Sequence, residues 1–207
     1  MLLDPQLLLA YLIACVVLIL APGPDMLFVL GQTLAGGARR GWAALMGIYL
    51  GATGHIALSV CGIAALLAAS PLLFDAVRIA GAAYLLWLGI SALRTALRPG
   101  GAMTLAAGAA DMRAAFWQGA LTNLLNPKVA LFFMAFLPQF VAPDRAPAWL
   151  QVLLLGPLLP LLALPFYAVL ITLADRVVSR LERARRWMDG IAGAIFLTLG
   201  LRLLLPR

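Results

Sequence analysis

The chain has 207 residues, of which 64% are hydrophobic and only 11% charged, with a net charge of +7. Soluble domains hold about 45–50% apolar and roughly 25% charged residues, so this composition excludes a water-coated fold and places the chain in a bilayer. The basic balance invites a nucleic-acid partner, but the arginines gather in the loops between apolar segments, which membrane topology explains without one.

A span needs about 20 apolar residues, and the pattern divides into six: residues 5–35, 41–67, 72–94, 113–141, 147–174 and 188–205. The fold class expected is therefore all-α, a single integral membrane domain over residues 1–207 with no soluble module. The opening stretch "MLLDPQLLLAYLIACVVLILAPG" has no basic segment ahead of its apolar run, so it reads as a retained first span rather than a cleaved signal. Cys15 and Cys61 fall within spans, without a CxxC motif, and read as small packing residues.

The first span is interrupted by Pro22, Gly23, Pro24 and Asp25. The two prolines remove backbone donors, end one half-helix and free carbonyls upstream, while Met26 onward can begin a second half-helix with Asp25 at or next to its N-cap. An ionised aspartate at mid-span costs about 2.5–3.5 kcal/mol on insertion scales, so it faces a cavity or a partner. Two roles are open to Asp25: capping the half-helix, and holding a solute or a proton.

On the second span, Gly47 and Gly51 form a GxxxG, followed by Gly54; they suit close helix packing. The same span carries Tyr49 and the sole histidine, His55, which is either a hydrogen-bonded structural residue or a member of a proton relay. On the third, Asp75 and Arg78 are spaced for an interfacial ion pair, and Tyr84 and Trp87 either line a cavity or pack between helices. Residues 96–112, rich in Gly and Ala, read as a mobile linker.

The fourth span carries Gln118, with the same two readings as the tyrosines, and then "TNLLNPK". There Asn123 and Asn126 can satisfy backbone groups freed by Pro127, and Lys128 is the only lysine in the chain. Lys128 stands too deep to snorkel easily, so an Asp25–Lys128 pair is expected, either as a fixed structural ion pair or as one that opens to take the ammonium and carboxylate of a zwitterion. Pro157, Pro160 and Pro165 must bend the fifth span, which also carries Tyr167. The arginine-rich segment 175–189 reads as a topology-setting basic loop, with a surface helix on anionic lipid as the alternative.

The two halves correspond. "IAGAAY" at 79–84 is echoed by "IAGAIF" at 191–196, and Pro24 and Pro127 interrupt the first span of each set of three, 103 residues apart. Three spans is an odd number, so the second half enters from the opposite face, giving a 3+3 inverted-topology repeat with broken helices 1 and 4. Repeat 1 covers about 5–95, the linker 96–112 and repeat 2 about 113–205. Ten arginines lie in the loops after spans 1, 3 and 5 against four on the other side, which puts both termini outside and the basic loops in the cytoplasm. No GxxxxGK[ST], HExxH or GxSxG motif is present and no Cys/His set, so neither an enzyme nor a metal or other cofactor is expected. The small-residue faces permit a homodimer without demanding one.

Three segments, "PGPDMLFVLGQTLAGGARRGWAALMGIYLG", "GAAYLLWLGISALR" and "LTNLLNPKVALFFMAFLPQF", resemble the LysE/RhtB family of bacterial amino-acid exporters, in order and spacing over nearly the whole chain. The resemblance implies a six-span exporter of amino acids or close derivatives in the bacterial cytoplasmic membrane, driven by the proton-motive force. It puts the family's PGPD on Pro22, Gly23, Pro24 and Asp25, and its NPK on Asn126, Pro127 and Lys128. The form seen here looks closer to the homoserine/threonine/leucine branch than to the lysine branch. Metal-ion or other small-solute export, or a membrane scaffold that moves nothing, are the rival readings.

Overall fold

The computed structural model describes residues 2–69, 71–97, 111–142 and 144–204, and all regular structure among them is helical. Helix α1 (Pro5–Leu20) begins where Asp4 caps it, its Oδ1 accepting from the amides of Gln6 (2.9 Å) and Leu7 (3.1 Å). It stops at Leu20 because Pro22 and Pro24 have no N–H to continue the ladder. Helix α2 (Pro24–Ala69) starts one residue before Asp25, so Asp25 lies inside the first turn rather than at the cap. Its helical geometry fails at Gly36 and Gly37, where Gly37 has φ +76°, a conformation that favours glycine. The result is two arms, 24–35 and 38–69, with a turn between them far tighter than the five-residue loop read from the sequence.

Helix α3 (Pro71–Leu97) follows, and the linker 98–110 lies outside the described residues. Helix α4 (Met112–Leu124) is capped by Asp111, whose Oδ1 accepts from the Ala114 amide at 2.7 Å. After a break at Leu125 and Asn126, α5 (Pro127–Leu131) runs on through a π-helical stretch, Phe132–Phe136, and a 3-10 turn, Leu137–Phe140. The two sides of that break are bent by 49°. Helices α6 (Ala148–Leu155) and α7 (Leu158–Thr172) are one apolar run divided at Gly156 and Pro157, with Pro165 tolerated inside α7. The chain closes with α8 (Ala174–Leu204).

The basic segment 175–189 is thus helical and continuous with the last apolar stretch, not a loop. It contains Arg, Leu, Ala and Val but neither Pro nor Gly, so nothing in it stops a helix.

Among the described residues two helices are long and apolar enough to cross a membrane by themselves, Pro24–Gly62 and Ala148–Thr172, and the bent pair Met112–Leu124 with Pro127–Phe140 makes a third. Pro5–Leu20 and Trp187–Thr198 are apolar but shorter. The break at Pro22 and Pro24 is what ends the first of these. Their outward faces are greasy, with Leu9 and Ile13 on α1 and Leu161 and Val169 on α7 all exposed, as a lipid-facing surface requires.

The interior is built by α2 against α4 and by α3 against α8, with α1 against α7. Glycines set the closest approach: a Cβ on Gly47 would run into the Phe116 carbonyl, and one on Gly119 into the Ala44 carbonyl. One apolar cluster gathers Tyr11, Phe132, Phe136 and Phe140, with Phe136 and Phe140 edge-on at 4.8 Å. A second joins Met26, Val29 and Leu45 to Leu170 and Ile171. Both helix breaks lie between these clusters, where their freed backbone groups have protein partners.

Candidate functional site

Each break repeats one local design. Gly23, Pro24 and Asp25 open α2, and Asn126, Pro127 and Lys128 open α5: a capping residue, a proline in the first helical position, then the charge. The Gly23 carbonyl accepts from the Leu27 amide at 3.1 Å, and Asn126 Oδ1 accepts from the Lys128 amide at 3.1 Å. Both charges therefore project from the first turn of a half-helix, close to the break that precedes it.

Each charge is then held by the other half of the chain. Asn123, in the last turn of α4, donates its side-chain amide to Asp25 Oδ2 at 2.8 Å. Asn126 lines the same cavity beside that carboxylate. Lys128 Nζ reaches back to the last turn of α1, donating to the carbonyls of Leu18 (2.8 Å) and Ala21 (2.7 Å). The Leu18 carbonyl is the one that Pro22 leaves without a helical partner, four residues on. An ammonium at a helix C-terminus also meets the negative end of the helix dipole.

The expected Asp25–Lys128 ion pair is thus not formed as a contact. Arg145, by contrast, does form ion pairs, with Asp4 (3.3 Å) and with Asp144 (3.9 Å). The two freed carbonyls outcompete Asp25 for the lysine because they sit at the end of the helix against which its side chain lies. Asp25 and Lys128 nevertheless line one cavity.

That cavity is partly enclosed. The space within reach of a water molecule's centre is about 70 Å³, room for several waters on a scale where one needs roughly 10–15 Å³. Asp25, Asn123, Asn126 and Lys128 supply its polar groups and Tyr49 and Tyr167 its aromatic ones, while Met26, Ile48, Leu159 and Ala163 make the remainder apolar. The Tyr49 hydroxyl donates to the Pro160 carbonyl at 2.7 Å, tying α2 to α7 at the rim.

Of the other residues singled out in the sequence, Gly23 lines the cavity, and Pro22, Pro24 and Pro127 shape the backbone around it. His55 lies one layer behind: its Nε2 donates to the Asn123 carbonyl at 3.1 Å and its ring stacks on Phe133, centroids 6.0 Å apart. Gln118 and Trp87 are exposed on the outer faces of their helices and do not belong to the site. Both occupy helix positions turned away from the packed side, which a span boundary alone does not reveal. The side chains of Tyr84, Asp75 and Arg78 lie outside the described residues.

Sequence reasoning passed over Asp189. It is buried at the head of the last apolar stretch, close enough for its charge to act on Lys128. The available signal was its place directly against an apolar span, where the basic segment invited a reading as loop. Among the described residues no group of three His, Cys, Asp or Glu side chains converges.

A helical membrane core with an internal polar cleft, built on two broken helices, defines a membrane translocator rather than an enzyme. The chain matches the LysE type translocator family over residues 16–207 and belongs to it. It is 32% identical over 200 residues to a leucine efflux protein of Klebsiella pneumoniae, covering 94% of this chain and 93% of that one. It is 29% identical over 196 residues to a leucine efflux protein of an Enterobacter species, covering 93% and 92%. An uncharacterized membrane protein of Pseudomonas aeruginosa is 37% identical over 199 residues, covering 93% and 92%. No solved structure matches the chain.

Proposed function

We propose that this protein is a secondary exporter of neutral, leucine-like amino acids from the bacterial cytoplasm, driven by the proton-motive force. The observation that carries the reading is the cleft itself, whose lining combines a carboxylate, an ammonium and aliphatic side chains. A zwitterion with an apolar side chain fits that arrangement. Its ammonium replaces part of Asp25's hydrogen bonding. Its carboxylate meets Lys128, which has three donors and spends two on Leu18 and Ala21, or the N-terminal amides of α5. The relatives named for leucine efflux agree with this cargo. A metal cation is disfavoured because Lys128 would repel it in the same cleft.

The six apolar segments form two inverted halves in this reading. Its support is the reciprocal hold of the two breaks, in which each half's charge is gripped by the last turn of the other half's first helix. The packing of α1 on α7 and of α2 on α4 is the second support, since exchanging the halves converts one pairing into the other. The arginine distribution supports both termini outside, in the cytoplasmic membrane. Substrate enters from the cytoplasm between the halves, is released outside, and a proton arriving on Asp25 favours the return.

The test is Asp25→Asn in proteoliposomes loaded with labelled leucine. Wild-type protein is expected to lose leucine under an imposed proton gradient. The variant is expected to purify as a folded species with efflux at the protein-free background. Undiminished gradient-driven efflux by the variant removes Asp25 from the mechanism, and absence of leucine movement by the wild type removes the cargo.

A further inference from the structure

Seven buried side-chain polar atoms among the described residues have no hydrogen-bond partner, and four of them lie on one strip: Asp25 Oδ1, Asn123 Oδ1, His55 Nδ1 and Ser59 Oγ. Three of the four are joined through Asn123, and Ser59 stands one helical turn from His55. Asn123 donates to Asp25 Oδ2, and its backbone carbonyl accepts from His55 Nε2. Its side-chain oxygen lies against Gly51, where a Cβ would come within 2.9 Å of it. Gly51, His55 and Ser59 recur every four residues and so share one face of α2. All four polar residues are more than nine-tenths buried, with exposures of 8% for Asp25, 2% for Asn123, 3% for His55 and 4% for Ser59.

Unpartnered buried polar atoms are rare because each is costly, and a run of them on one face marks a place for bound water. Because a carbonyl only accepts, His55 Nε2 carries the ring hydrogen in that bond, which leaves Nδ1 as an acceptor. We propose that Ser59, His55 and Asn123 line a narrow water-filled path that delivers protons to Asp25 from the Ala69 end of α2. The inference rests on the proton-coupled exporter reading, in which that end of α2 faces outside. A proton passes along the water held by Ser59 Oγ and His55 Nδ1 and ends on Asp25 Oδ1, the oxygen that Asn123 leaves open. His55 takes and returns the proton at the same atom, so its bond to the Asn123 carbonyl persists throughout.

The titratable side chains at the inner end are Asp25 and Tyr49 of α2, Lys128 of α5 and Tyr167 of α7, and the charge of Asp189 of α8 acts on Lys128. Towards His55 itself, α4 presents Asn123 and the π-helical stretch presents Phe133, neither of which titrates. His55 and Ser59 do not line the cleft, so the path reaches Asp25 from behind Asn123.

The experiment follows Asp25 protonation by its carboxyl infrared band after a rapid acid jump outside right-side-out proteoliposomes, with Asp25→Asn assigning the band. His55→Gln keeps a donor for the Asn123 carbonyl but cannot bind a proton, and Ser59→Ala removes one hydroxyl. The double variant is expected to slow protonation at least tenfold, with Ser59→Thr close to wild type. Leucine exchange at equal pH on both sides is expected to stay within about twofold of wild type, which shows that the variant is folded. A protonation rate unchanged in the double variant overturns the path. Because the band needs no substrate, that result is distinct from a wild type that fails to move leucine, which overturns the cargo and leaves the path to be judged by its own rate.

Discussion

The two helix breaks share a design but differ in how their charges are held. At the second, Lys128 is fixed by two main-chain carbonyls, groups that cannot be withdrawn without unwinding the end of α1. At the first, Asp25 is fixed by one side-chain amide on one oxygen, and its other oxygen has no partner. A lysine held by backbone acts as a lock between the halves. A carboxylate held by a rotatable amide can exchange partners. The contrast assigns the invariant part of the site to the α5 side and the exchangeable part to the α2 side.

The largest effect should come from the lock. Lys128→Met removes two hydrogen bonds from a charged donor, each worth about 1.5–3 kcal/mol, and leaves the Leu18 and Ala21 carbonyls unpaired. Thermal melting in detergent should show a fall of many degrees or no recoverable protein. A variant melting with the wild type would break the contrast, because Lys128 would then be as dispensable to the fold as Asp25. Next in size is Gly47→Ala, whose Cβ meets the backbone of α4 at Phe116 and should cost about 1–3 kcal/mol. Gly37→Ala, with open space around it, should cost only the strain of its positive φ, about 1–3 kcal/mol.

The two asparagines sharpen the same contrast. Asn126→Ala deletes the cap of α5 and should lower stability by about 1 kcal/mol, with leucine efflux reduced in proportion to folded protein. Asn123→Ala releases Asp25 and should depress efflux per folded molecule well beyond its effect on melting. Equal behaviour of the two in paired melting and efflux assays would show that Asn123 is only structural. The smallest effect is expected from Tyr49→Phe, which loses one neutral hydrogen bond to Pro160, about 0.5–1.5 kcal/mol, and should leave efflux within a few-fold of wild type.

Much of this was legible in the chain. Proline chemistry is local, so Pro22, Pro24 and Pro127 announced both breaks to within two residues, and the helix limits follow them. Glycine spacing announced a close helix contact on the second span for a similar reason, since a missing Cβ is visible in one dimension, while its partner α4 came only from the structure. Partner choice was not legible. Opposite charges 103 residues apart suggested a direct pair, and only the crossing of the halves shows the freed carbonyls of α1 lying nearer to Lys128. Helix facing was equally hidden for Gln118, and the continuity of 175–189 with α8 was obscured by its arginines.

By itself, the sequence determined that this protein lives in a bilayer, that two of its apolar segments must be broken, and that each break carries a charge. These follow from composition and from backbones that lack a donor, and they hold whatever the neighbours are. Only the tertiary structure decided which groups close around the charges: Asn123 on Asp25, the end of α1 on Lys128, and His55 behind Asn123. Hydrogen-bond partners are chosen by distance in space, and here every choice crosses from one half of the chain to the other.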